Sequence, residues 1–134
     1  MTIAQRWTLL SPAYQSHSVN FSTPTPLGTD NDQYTATAIR FDFDFVIEHV
    51  ELTVDITVAY RGQLRISLIS PSGTESVLSE VHGDTRSNWD SWRFSTLRTW
   101  EEDSRGNWIL IIEDNDDSRA VLNWWNLEIY GVPL

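Results

Sequence analysis

The chain has 134 residues and a formal charge of −10, from nineteen acidic side chains against nine arginines and no lysine. Such an excess of negative charge repels nucleic acid, the length fits one domain with a real core, and no apolar run reaches the roughly 20 residues of a membrane span. Cysteine is absent, which removes disulfides, thiolate nucleophiles and Cys-ligated metals.

Along the chain, Met1 to Leu10 carries Arg6 but neither an apolar h-region nor a small-residue cleavage site, so it does not read as a signal peptide. Ser22 to Asp32, with Pro24, Pro26 and Gly28, reads as a loop. Ile39, Phe41, Phe43 and Phe45 then share one face of a strand, with Arg40, Asp42 and Asp44 on the other. Alternation is clearest at Val50, Leu52, Val54, Ile56 and Val58, interleaved with Glu51, Thr53, Asp55 and Thr57, which is the pattern of a half-buried strand. Further strands are expected at Leu64 to Ile69, Ser76 to Leu78, Trp92 to Phe94, Trp108 to Ile112 and Leu122 to Tyr130, most of them rich in β-branched or aromatic residues. Turn residues at Arg61-Gly62, Pro71-Ser72-Gly73-Thr74, His82-Gly83-Asp84 and Ser104-Arg105-Gly106-Asn107 separate them. No segment repeats and none has helical spacing. The expectation is one all-β domain over residues 1–134, an antiparallel β-sandwich of jelly-roll type with about eight strands.

Three segments in order carry a family resemblance. The first is Ile47-Glu48-His49 with the strand running to Tyr60-Arg61-Gly62-Gln63-Leu64, and the second is Leu68 to Thr74. The third runs from Trp92-Arg93-Phe94 through Trp100-Glu101-Glu102-Asp103 and Gly106-Asn107-Trp108 to Trp125-Asn126-Leu127-Glu128-Ile129-Tyr130-Gly131. Together they resemble the P (Homo B) domain of furin- and kexin-type proprotein convertases, subtilisin-family serine proteases. Ala4-Gln5-Arg6-Trp7 is similar to the first strand of that domain, which places an opening strand, following an interdomain linker, over residues 1–12. The resemblance implies an eight-stranded jelly roll packed beside a subtilisin-like catalytic domain of the same polypeptide, stabilising it and influencing its calcium and pH dependence without performing the cleavage. It also implies a secreted or periplasmic product made as part of a larger precursor. One departure is Gln63, where many members have Asp and so display Arg-Gly-Asp, which leaves an integrin-type role unsupported.

The residues themselves offer little catalytic chemistry. His17, His49 and His82 lie far apart, none within a subtilisin-type motif, and Ser72 belongs to a turn rather than a strand-to-helix elbow. The same scatter argues against zinc. A pair of carboxylates suited to glycoside hydrolysis stays open, since spatial separation decides it. Calcium is the metal to carry forward: Asp114, Asp116 and Asp117, and also Asp30 and Asp32, concentrate hard oxygen ligands in expected loops. Neither run is an EF-hand, and the one that opens at Asp114 has Arg119 where the loop needs Gly and Trp125 where it needs Glu. Of seven Trp, parity places Trp92, Trp108 and Trp125 in the core, whereas Trp89 in its polar run and Trp124 are candidates for exposure. Exposed Trp would mark a protein interface or, as the alternative function, a jelly-roll binding module for carbohydrate or a structural protein.

Overall fold

A computed structural model describes residues 15–27, 34–114 and 120–133. Among the described residues nine strands follow one another: β1 (Gln15–Phe21), β2 (Thr25–Pro26), β3 (Tyr34–Phe41), β4 (Phe45–Thr57), β5 (Leu64–Ile69), β6 (Glu75–Ser79), β7 (Trp89–Thr96), β8 (Gly106–Asp114) and β9 (Val121–Pro133), with a 3₁₀ turn at Arg61–Gln63. One sheet has the order β1-β9-β4-β7, with β2 added on β9, and the other the order β3-β8-β5-β6. With the two-residue β2 set aside, successive strands alternate between the sheets except at the β5–β6 hairpin, the double Greek key of a jelly roll. Every pairing is antiparallel.

The alternating residues of β4 build the core as their spacing dictates. Val50, Leu52, Val54 and Ile56 point inward and meet Leu64, Ile66 and Leu68 of β5 and Trp108, Leu110 and Ile112 of β8. Leu127, Ile129 and the fully buried Trp125 of β9 close the same layer. Burying each such side chain contributes about 1.5–3 kcal/mol.

The course of the strands differs from expectation in three places. Ile39 to Phe45 is not one strand: β3 ends at Phe41, β4 starts at Phe45 in the other sheet, and Phe43 between them is exposed. Alternating hydrophobicity survives a change of sheet because both strands contribute to one core. β1 lies in a segment without a strong pattern, since as an edge strand it half-buries only His17, Val19 and Phe21. Within Ser22 to Asp32, Thr25–Pro26 pairs with β9. The opening strand expected over residues 1–12 lies outside the described residues.

Candidate functional site

The connections hold the molecule through side chains that the sequence motifs supply. In the β5–β6 turn, Gly73 takes φ 92 and its N–H bonds to the Ser70 carbonyl at 2.9 Å. Glu102 reaches across to this turn: its carboxylate accepts the hydroxyls of Ser70 at 2.8 Å, Thr74 at 2.7 Å and also Ser72. Burial alone pushes the Glu102 pKa up, but these three donors outweigh it and hold the carboxyl below its ordinary value. Ser104, fully buried, accepts the Phe45 N–H at 2.8 Å, donates to the Phe43 carbonyl, and offers its own carbonyl to Trp108 Nε1 at 2.9 Å. The Trp-Glu-Glu-Asp and Gly-Asn-Trp motifs are thus one structural unit.

A second unit surrounds Arg61. Its guanidinium pairs with Asp84 at 2.7 Å and lies over the rings of Trp89 and Trp92, 5.3 and 5.0 Å from their centroids. Asp84 also pairs with Arg86 at 3.0 Å, and hydrogen bonds from Arg86 and then Arg61 drive its pKa far below the usual carboxylate range. Gly62 is required here because a Cβ would strike the His82 carbonyl and the Asp84 backbone. Arg61 is only 8% exposed, so this tripeptide is a buried clamp, not a displayed recognition loop.

The tryptophans are placed differently from their sequence parity. Trp89 is 4% exposed, in the core, while Trp92 is 41% exposed. The cause is a bulge in β7: Val54 pairs with Trp92 but Ile56 with Trp89, so one extra residue enters the strand, and Asn88 and Ser91 take φ 62 and 45 around it. Trp124 is half-buried on the outer face, as a bulge in β9 allows Leu122 and Trp125 both to face inward. Trp100, in the turn before β8, is 61% exposed; no strand alternation covers it, so parity could not have found it.

The two outer faces of the sandwich contrast. On β3-β8-β5-β6, two cross-strand rows read Ala36, Ile111, Ser67, Val77 and Ala38, Ile109, Ile69, Glu75. On β1-β9-β4-β7 the rows are polar: Asn20, Asn126, Thr53 and Arg93 are in register across all four strands, and the next outward row includes Trp124, Asp55 and Ser91. There a shallow open groove of about 590 Å³ lies between Trp124, Asn20, Asn126 and Arg93.

Of the calcium candidates, Asp114 is 2% exposed and its Oδ1 accepts Gln63 Nε2 at 2.9 Å. Among the described residues no three His, Cys, Asp or Glu side chains cluster to hold a metal. Asp30, Asp32, Asp116 and Asp117 lie outside the described residues. The histidines are separate: His17 packs on Phe43 at 3.7 Å, His49 stacks on Tyr130 at 4.2 Å, and His82 Nδ1 meets the Glu80 carbonyl at 2.7 Å.

The jelly roll agrees with the fold that the resemblance implies, and the family model described as proprotein convertase P-domain matches residues 47–129. The chain belongs to the proprotein convertase P-domain family, a non-catalytic domain rather than an enzyme in itself. It is 30% identical to furin of Rattus norvegicus over 138 residues, covering 98% of this chain and 17% of that protein. It is 37% identical over 90 residues to neuroendocrine convertase 2 of Bos taurus, covering 63% of this chain and 14% of that protein. The chain therefore spans less than a fifth of these relatives, in which such a domain sits with a catalytic domain. The serine protease of Aeromonas sobria, solved with its chaperone, superposes with a TM-score of 0.79 at 17% identity over 96% of this chain and 29% of that one, a likeness of fold. No described helix is long and apolar enough to cross a membrane.

Proposed function

We propose that this chain is the P domain of an exported subtilisin-like serine endopeptidase and packs against the catalytic domain of the same polypeptide, stabilising it for proteolysis. The observation that carries the reading is the family match over residues 47–129 in a chain that spans 17% of furin. We take the outer face of β3-β8-β5-β6 as the contact surface, because Ala36, Ala38, Ile109, Ile111, Ile69 and Val77 form an apolar stretch there, bordered by Arg65 with its partners Glu75, Glu80 and Glu113. The polar face of β1-β9-β4-β7 stays in water.

The test uses the full-length gene product, a secreted or periplasmic polypeptide several times larger than this chain. Ile111→Arg shortens the thermal half-life of its serine peptidase activity on the order of tenfold, a hot-spot-sized effect, while the 134-residue chain carrying the same substitution melts within a few degrees of its parent. Peptidase activity in the isolated chain, abolished by a serine-directed inhibitor, would overturn the proposal, as would an unchanged half-life.

Calcium belongs to this reading as a ligand of the acidic runs at residues 30–32 and 114–117. A cation that binds only the native state raises stability by mass action. The melting temperature of the chain should therefore rise with calcium and fall with chelator, and an unchanged value removes calcium from the proposal.

A further inference from the structure

The outer face of an antiparallel sheet is ordinarily a regular array of polar side chains, but here two β-bulges interrupt it on either side of one residue, Asp55. β9 gains a residue between Leu122 and Trp124, and β7 gains one between Trp89 and Trp92. Asp55 pins both. Its Oδ1 accepts Asn123 Nδ2 at 2.9 Å from the first bulge, and its Oδ2 accepts the Ser91 backbone N–H at 3.1 Å from the second. Ser91 is held there at φ 45, a strained conformation for a residue with a side chain, of the kind that collects at ligand sites. Bulges re-aim side chains, and these deliver the Trp124 indole and Ser91 to the same groove.

The groove floor is the row Asn20, Asn126, Thr53, Arg93. Asn126 Nδ2 donates to Asn20 Oδ1 at 2.6 Å, which orients both amides and leaves Asn126 Oδ1 as an acceptor and Asn20 Nδ2 as a donor for a ligand. Arg93 is 66% exposed at its side chain and 3.6 Å from Glu51, so its donors are accessible while its charge is partly balanced. An aromatic plane beside alternating donors and acceptors, without net positive charge, matches a polyol that shows C–H bonds on one side and hydroxyls at its edge. The charge of −10 weighs against an anionic ligand.

We propose that this groove binds a neutral sugar, one ring laid against Trp124 with its hydroxyls on Asn20, Asn126 and Arg93. The site lies on the outer face opposite the one proposed above for the protease contact.

The test is tryptophan fluorescence and calorimetry of the full chain titrated with cellohexaose, mannohexaose and chitohexaose, with oligogalacturonate as the anionic comparator and a high-mannose glycopeptide as a protein-linked source. Expected is saturable binding of at least one neutral probe and none of oligogalacturonate. Binding of a free hexaose points to a polysaccharide source, and binding of the glycopeptide alone to a glycoprotein. Trp124→Ala weakens binding at least about tenfold, and Asn126→Ala, a smaller change to the fold, weakens it several-fold. Both variants keep the parent melting temperature within a few degrees, and Trp100→Ala binds as the parent does. No response to any neutral probe, a preference for oligogalacturonate, or full binding by folded Trp124→Ala and Asn126→Ala would each overturn the proposal.

Discussion

Two tryptophans of equal burial have unequal surroundings. Trp108 and Trp125 are both 0% exposed, but Trp108 Nε1 donates to the Ser104 carbonyl at 2.9 Å, whereas Trp125 Nε1 has no acceptor among the described residues. Replacing either by Phe removes a similar volume from the core. Only Trp108→Phe also orphans a buried carbonyl, so it should cost about 1 kcal/mol more than Trp125→Phe; urea unfolding of the two variants measures the difference, and equal losses would show the Ser104 bond to be energetically empty. Tyr130 makes a spectroscopic counterpart. Its hydroxyl donates to Glu128 at 2.8 Å, and that bond, with burial and the charges of Glu128 and Glu51, pushes the phenol up to about 12. Folding favours the protonated phenol, so this contribution to stability is complete below the unfolded value near 10 and disappears as pH climbs toward the folded one. Ultraviolet titration should find the Tyr130 phenol among the late ones, and Glu128→Gln should bring it down while leaving Tyr34, raised by Glu113, where it was.

At the scale of elements, Glu102 joins the β5–β6 turn to the segment before β8, and the backbone completes the seam: Ile47 N–H bonds to the Glu102 carbonyl at 2.9 Å and Glu101 N–H to the Ile47 carbonyl at 2.8 Å. Glu102→Gln keeps the shape but offers one carbonyl to three hydroxyls, so the variant should melt several degrees lower at neutral pH, as loss of one or two charge-assisted bonds predicts. A melting temperature equal to the parent's would reduce the three contacts to decoration. Strands of this kind were legible in sequence where one face is buried: β4 and β5 announce themselves because every second residue must be apolar. The edge strand β1 did not, since little of it is buried. Trp89 and Trp92 exchanged their expected places because a bulge shifts parity by one residue, and nothing in Asn88 to Ser91 marks its position. The polar row of the groove was illegible for a different reason. Asn20, Thr53, Arg93 and Asn126 belong to four strands, and only the register of the folded sheet makes them neighbours.

On the scale of the whole molecule, the connection from β6 to β7 passes from one sheet to the other, and the Arg61–Asp84–Arg86 group fastens it. Backbone bonds from Gly62 N–H to the Asp84 carbonyl at 3.0 Å and from His82 N–H to the Gly62 carbonyl at 2.8 Å run beside the ion pairs. Asp84 and Glu102 both have folded pKa values below their ordinary ones, so over the acid range the unfolded chain binds more protons than the folded chain. Their stabilisation is present above the unfolded carboxylate values near 4 and fades as pH falls through the folded ones. For Asp84 that loss extends into strong acid, because two guanidinium groups continue to favour its charged form. Asp84→Asn removes the group from this balance. The variant should melt lower than its parent at pH 7, with a shallower fall in melting temperature below pH 4, so that the two curves converge toward the most acidic conditions. Parallel curves would mean that Asp84 fastens the crossing through its geometry alone, with its charge contributing nothing to the union of the two sheets.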